Sequence, residues 1–162
     1  MPNNRKALKW YLQKVHPFIL KEENYKFIIV GSTGDLDEKV IQSELEGFEN
    51  VEVHLNQLDL QPFYKQSSIF VNPMFYGTGV KLKSVNAIQN GLVLISTDIG
   101  SEGIGLNNDS MYLKANTAEE FITTLQKVFR MSNVNRQELV SNAQTYLKNN
   151  HFLSIINNEI TS

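Results

Sequence analysis

Two glycines, two lysines and an asparagine crowd into one short stretch. They occur in Pro73-Met-Phe-Tyr-Gly-Thr-Gly-Val-Lys-Leu-Lys83 and at Asn86, where an apolar run gives way to a helix-like pattern. Gly77 and Gly79, flanking Thr78 and followed by Val80, let the backbone approach a ligand closely. Free amides at a helix N-terminus carry about half a positive charge, and Lys81 and Lys83 add full charges in a first turn where cations are otherwise disfavoured. That placement suits an anion such as a phosphate. Lys83, Asn86 and Asn90 fall on one helical face, opposite Leu82, Val85 and Ile88, so Asn86 is placed to reach hydroxyls of whatever the loop holds. An ordinary turn with solvated lysines has the same spacing, and a lone Gly-x-Gly does not choose between the two. The stretch is neither a Walker loop nor a full dinucleotide fingerprint, because the required further residues are missing.

Other chemistry-bearing residues have simpler readings. Asp35-Leu-Asp37 has the form of a carboxylate pair for a divalent metal, but at the start of an acidic helix it reads better as a cap. His16, His54 and His151 lack metal-ligand spacing, so structural roles are expected for them. Tyr76 is placed either to stack on a ring or to pack its own turn, and Glu102 either to meet ligand hydroxyls or to face water. Trp10, Phe18, Phe63 and Phe70 are expected in the core.

These residues need elements to hold them. Leu8, Leu12, Val15 and Ile19 recur with helical spacing over Asn4–Leu20, ended or kinked by Pro17. Lys26–Gly31 and Ser68–Pro73 are short apolar runs, expected as strands buried on both faces; Val51–Leu55 is the strand between them. Leu92–Thr97 is the most strand-like stretch, and Met111–Ala115 a weaker one. Helices are expected at Asp37–Gly47, capped by Asp35 or Asp37, at Asp59–Ser67, and at Lys81–Asn90 closed by Gly91. Thr117-Ala-Glu-Glu120 has the form of a capping box opening a helix to Arg130. Arg136–Asn149 and Phe152–Ile160 follow, the last with an apolar face of Phe152, Ile155, Ile156 and Ile160. The alternation predicts an α/β fold, a Rossmann-like doubly wound parallel sheet with helices on both faces. Ligands then sit at the carboxyl ends of the strands, on the loops Gly31–Gly34, Asn56–Leu58, Pro73–Lys81 and Thr97–Gly105.

Composition narrows the classes. The 162 residues suit one domain, and the absence of cysteine removes disulfide, thiolate-zinc and thiol-nucleophile chemistry. A net charge of -2 without a basic block argues against nucleic acid as a partner. No apolar run approaches the roughly 20 residues of a membrane span, and the first 20 residues lack a secretory pattern, so the expected location is cytoplasmic. Frequent asparagine and scarce alanine point to a bacterium of low GC content.

Gly77-Thr-Gly-Val-Lys-Leu-Lys-Ser-Val-Asn-Ala-Ile-Gln-Asn-Gly-Leu-Val-Leu-Ile-Ser-Thr97, followed by Gly100-Ser-Glu-Gly-Ile104, resembles the donor-binding segment of GT-B glycosyltransferases of family 4 (group 1), whose pattern is G-x-G-x-K-x-K-x-x-E-A-x-x-x-G-x-P-V-x-x-T. Ala7–Leu12 with His16-Pro17, Tyr25–Gly31, and Asn50–Leu55 with Leu60 and Tyr64 resemble earlier segments of that domain, so the likeness runs from about residue 2 to 130. The resemblance implies a nucleotide-sugar donor, with Gly77, Thr78, Gly79, Val80, Lys81 and Lys83 near its diphosphate. It puts Asn86 near the ribose, and Gly31, Ser32 and Asn56 near the base. It further implies a retaining hexosyltransferase, independent of metal and cofactor, in bacterial polysaccharide or glycoconjugate assembly. Thr78 and Asn86 stand where the family's Glu-x7-Glu motif has carboxylates. An amide holds ribose hydroxyls less well than a carboxylate, which keeps a second reading open: a degenerate, non-catalytic binding or partner module.

On this likeness residues 1–162 are a single nucleotide-sugar-binding domain, the C-terminal half of a GT-B fold without its first strand and its N-terminal acceptor domain. A fragment, a truncated gene product and one subunit of a split enzyme all fit. No transfer activity is expected of the isolated chain. A peripheral seat at the inner membrane face would come only through a partner chain or the acceptor domain.

Overall fold

The computed structural model describes residues 2–150. His151 and the apolar face expected at Phe152, Ile155, Ile156 and Ile160 lie outside the described residues.

Helix α1 spans Pro2–Lys14, and Pro17 then starts a 3-10 turn at His16–Phe18 instead of prolonging the helix. Tyr11, Leu12, Val15 and Ile19 are buried as their spacing requires. Phe18 is not: it is 66% exposed, because once the α-helix has ended at Lys14 the helical period no longer turns that position inward. Trp10, Phe63 and Phe70 are half-buried rather than fully enclosed. Trp10 packs edge-on against Phe75 and Phe121, at 4.8 and 5.6 Å between ring centres.

The remaining elements follow in alternation: β1 Phe27–Gly31, α2 Glu38–Leu45, β2 Val51–Leu55, α3 Gln61–Lys65, β3 Ile69–Asn72, α4 Leu82–Gln89 and β4 Val93–Ser96. A two-residue β5, Leu113–Lys114, precedes α5 Ala118–Arg130 and α6 Asn133–Asn149. Of the two candidates, Asp37 is the cap of α2, its carboxylate accepting from Lys39 N at 2.8 Å. Thr117 accepts from Glu120 N at 3.1 Å, while Glu120 reaches back to Asn116 N at 2.6 Å. Helix α6 starts three residues before the expected Arg136, with Ser132 as cap; Asn133-Val-Asn135 has no apolar period to announce it, and Val134 is exposed.

All strand pairs are parallel: β1 with β2, and β3 with β4 with β5. Apolar clusters cover both faces. Tyr11 of α1, with Val15 and Ile19 on either side of the 3-10 turn, joins Phe121, Leu125 and Val128 of α5 over Val93, Ile95 and Leu113. On the opposite face, Val85 and Ile88 of α4 meet Leu94 and, from α6, Ala143 and Leu147. Leu12 continues the first layer over Ile29, Val53, Ile41 and Leu45. The fold is therefore the α/β arrangement expected, with helices on both faces. One expectation fails: only β4 is buried at every position, whereas β1 and β3 are largely half-exposed, and the strands form two sheets, β1-β2 and β3-β4-β5, that do not pair with each other.

Candidate functional site

Because paired strands are parallel and in register, Gly31 opposite Leu55 and Asn72 opposite Ser96, the loops leaving them emerge at their carboxyl ends. The structure sorts the expected site residues into two groups. In the first, Asn56 accepts from Thr33 N at 3.1 Å through its side-chain oxygen, donates to Glu38 at 3.2 Å, and donates its own N–H to the Gly31 carbonyl at 2.7 Å. Ser32 accepts from Gly34 N at 3.1 Å. Gly31, Ser32 and Asn56 are thus brought together, exposed, with the Asn56 amide engaged in bracing the two loops.

The second group is built around the glycine loop. Gly77 and Gly79 take φ of 120° and 79°, values a side chain would strain, so the loop depends on both glycines. Thr78 and Val80 are exposed beside them, and Asn86 is half-buried one turn into α4. Lys81 stands at the N-cap position of α4 and folds back, donating to the Gly79 carbonyl at 2.6 Å, with Glu102 at 3.7 Å. Its side chain is only 11% exposed. Glu102, partly exposed, is thus a counter-charge to Lys81. Lys83 donates to the Asn4 side-chain oxygen at 2.7 Å, and burial, with the charge of Lys81, pushes its ammonium down to about 8. Tyr76 is 65% exposed, with the Lys6 ammonium 5.8 Å from its ring centre, so its turn does not bury it.

Sequence reasoning missed what braces this loop. Buried Asn72, the last residue of β3, donates to Ser84 Oγ at 2.8 Å and to the Gly100 carbonyl at 3.3 Å. Ser84 Oγ donates to the same carbonyl at 2.8 Å, and Gly100 N donates to Thr97 Oγ1 at 3.0 Å. Thr97 Oγ1 in turn donates to the Met74 carbonyl. These groups tie the end of β3, the first turn of α4 and the loop after β4 into one unit, while Asn72 Oδ1 is left buried without a partner among the described residues. The available signal was a lone asparagine closing the apolar run Ile69-Phe-Val. Asn4 and Lys6, from the first turns of α1, were also missed, since nothing local links them to Lys83 and Tyr76, 70 or more positions away.

Two glycines at positive φ, two lysines and a buried brace can hold an anionic group at the carboxyl edge of a parallel sheet. Against known proteins, the family described as "Glycosyl transferases group 1" matches residues 1–131. The chain belongs to that family. This group 1 glycosyltransferase chain is 32% identical over 157 residues to an uncharacterized 44.6 kDa protein in the cps region of Klebsiella pneumoniae, a match covering 93% of the chain and 40% of the relative. It therefore spans well under half the length of that relative. The C-terminal domain of a glycosyl transferase group 1 family protein, LpcC from Francisella tularensis, has a similar structure at TM-score 0.70 and 13% identity, covering 91% of this chain and 80% of that one. A UDP-forming α,α-trehalose-phosphate synthase from Burkholderia xenovorans is similar at TM-score 0.71 and 15% identity, over 90% of this chain and 38% of that one. At such identities the likeness establishes the fold, and these neighbours are GT-B glycosyltransferases. Among the described residues of the group 1 chain, no helix is long and apolar enough to cross a membrane.

Proposed function

We propose that this chain is the donor-binding half of a retaining glycosyltransferase, holding a nucleotide sugar by its diphosphate, without a metal, for transfer of a hexose. The observation that carries the reading is the Gly77–Lys83 loop: amides at the start of α4, Lys81 enclosed beside the loop, and Lys83 half-buried. A half-buried lysine whose proton is weakened by burial gains most from an anion, and a developing diphosphate leaving group is such an anion. The exposed Gly31, Ser32 and Asn56 group suits the base, Asn86 the ribose, and Tyr76 a stacked ring. Group 1 membership and the cps-region relative support a place in bacterial surface-polysaccharide assembly, at the cytoplasmic side, with the acceptor held by a second domain or partner chain.

A non-catalytic module is the second reading, favoured by one observation: Thr78 and Asn86 replace the carboxylates of the family motif. Thermal unfolding with UDP, GDP, ADP and CMP and their sugars separates the two. Ligand at 100 times its dissociation constant adds about 2.7 kcal/mol, so one nucleotide series should raise the melting temperature, and Lys81→Ala should abolish the shift. A flat response to every compound would favour the second reading.

A further inference from the structure

A second concave surface lies away from the glycine loop. One side of α6 carries Asn135, Glu138, Asn142, Thr145 and Asn149, whose spacings alternate between three and four residues and so keep them on a single helical face. All five are exposed, and the rise of a helix makes the stripe about 21 Å long. It looks across at the turn before β5, where Asp109 takes a φ of 71° and its N–H donates to the Tyr112 carbonyl at 2.8 Å. Between stripe and turn lie two adjoining hollows of about 340 and 290 Å³, both bounded by Ser110 and Asn142. Ser110 and Met111 precede β5, which runs parallel to β4, so this groove starts at the amino end of β5. The glycine loop leaves the opposite, carboxyl end of its strand and lines no part of the groove.

The walls are fixed in place and mostly neutral. Asn142 Nδ2 donates to the Ser110 carbonyl at 3.0 Å, and Asn108 Oδ1 accepts from Lys114 N at 2.9 Å, so the turn is tied to both α6 and β5. Asn142 Oδ1 stays open to a donor, and the exposed side chains of Ser110, Thr145 and Asn149 are spent on no other contact among the described residues. Amides and hydroxyls can both donate and accept, which is what a sugar hydroxyl asks of its partners. Beneath them Leu113 and Leu139 are buried and Met111 and Tyr146 half-buried, an apolar floor suited to the C–H faces of sugar rings. The Tyr146 ring is held by its OH, which donates to the Ile104 carbonyl at 3.0 Å. Charge narrows the ligand further. Lys127 is one cation lining the groove, set against the carboxylates of Asp109 and Glu138, a balance that does not attract a phosphate backbone or a polyanionic chain.

We infer that this groove binds a neutral, linear oligosaccharide of about four sugar rings, laid along the α6 stripe at a site separate from the glycine loop. Membership of a glycosyltransferase family supplies the source, because glycans are what such proteins extend. A glycan held here by one stretch keeps its free end at raised effective concentration near the same molecule. That role in transfer rests on the donor-binding reading above, whereas the binding itself does not.

The test titrates the full chain with maltopentaose, cellopentaose, mannopentaose and N-acetylchitopentaose, followed by amide NMR. At least one of them should move the side-chain signals of Asn142 and Asn149 and the backbone signals of Ser110 and Met111, and leave those of Gly77 and Gly79 in place. Thr145→Val and Asn149→Ala should each weaken that binding about threefold or more, the loss of one neutral hydrogen bond. Thr145→Arg should abolish it by filling the groove, with the melting temperature unchanged. Lys81→Ala, in the glycine loop, should leave it intact, so this proposal and the donor-binding reading fail separately. No response to any of the four sugars, shifts at the glycine loop instead, or undiminished binding by Thr145→Arg would overturn the proposal. So would nuclear Overhauser contacts between the groove and residues 151–162 in the free chain, or signals that move with protein concentration alone, since the groove would then belong to the chain's own end or to a second copy.

Discussion

The Lys83 ammonium donates to Asn4 at 2.7 Å across 79 residues of sequence, joining the first turn of α4 to the first turn of α1. It is a weakened cation, held down to about 8 by its burial and then by Lys81. In the free protein Lys83 loses its proton as the pH rises through about 8, and a bound diphosphate raises that value by favouring the charged form. Nucleotide-sugar affinity should therefore hold steady below pH 8 and fall above it. Lys83→Met should remove the bend and weaken binding about tenfold or more, since a hydrogen bond to a charged group contributes ~1.5–3 kcal/mol. Calorimetric titrations across pH check both.

Glu102 competes for Lys81. Their 3.7 Å pair is partly exposed on the carboxylate side, and such pairs contribute ~0.2–1 kcal/mol. Glu102→Gln should thus tighten anion binding by up to about fivefold, and Lys81→Ala should abolish the gain. Weaker binding in Glu102→Gln would instead make Glu102 a ligand contact.

Gly100 has no room for a methyl group. A Cβ there would lie 2.9 Å from both the Asn72 amide carbon and the Asn72 carbonyl oxygen, and closer still to the Ser96 hydroxyl. Gly100→Ala should cost about 1–3 kcal/mol in denaturant unfolding, as overpacking does, and loosen the brace behind the glycine loop.

Buried His16 holds Tyr25 OH at 2.7 Å through Nδ1 and the Glu49 carbonyl at 2.7 Å through Nε2, while burial pushes the Tyr25 phenol upward. His16→Phe should keep the volume but leave the Glu49 carbonyl without its donor and Tyr25 OH with only Tyr11 OH at 3.2 Å, at about 1–3 kcal/mol for a group left unsatisfied. Urea unfolding measures the loss, and Phe18→Ala, at an exposed position of the same turn, should be nearly silent.

Much of this was legible residue by residue. The α1 stripe, the Asp37 and Thr117 caps, the apolar run of β4 and the glycine loop with its lysines all depend on neighbours within about one helical turn or two strand residues, the range over which periodicity operates. The family pattern added the order of the loops and their shared edge. Phe18 and the first turn of α6 escaped because each sits where one period ends and another begins.

By itself, the sequence determined which segments form helices and strands, and that lysines and glycines meet at the start of α4. Only the tertiary structure decided that Glu102 pairs with Lys81, that Asn4 receives Lys83, that Asn72, Ser84 and Gly100 form one buried brace, and that β1-β2 and β3-β4-β5 share no ladder. Those contacts join residues far apart in the chain, set by which faces of helices bury which strands, and no local period carries that information.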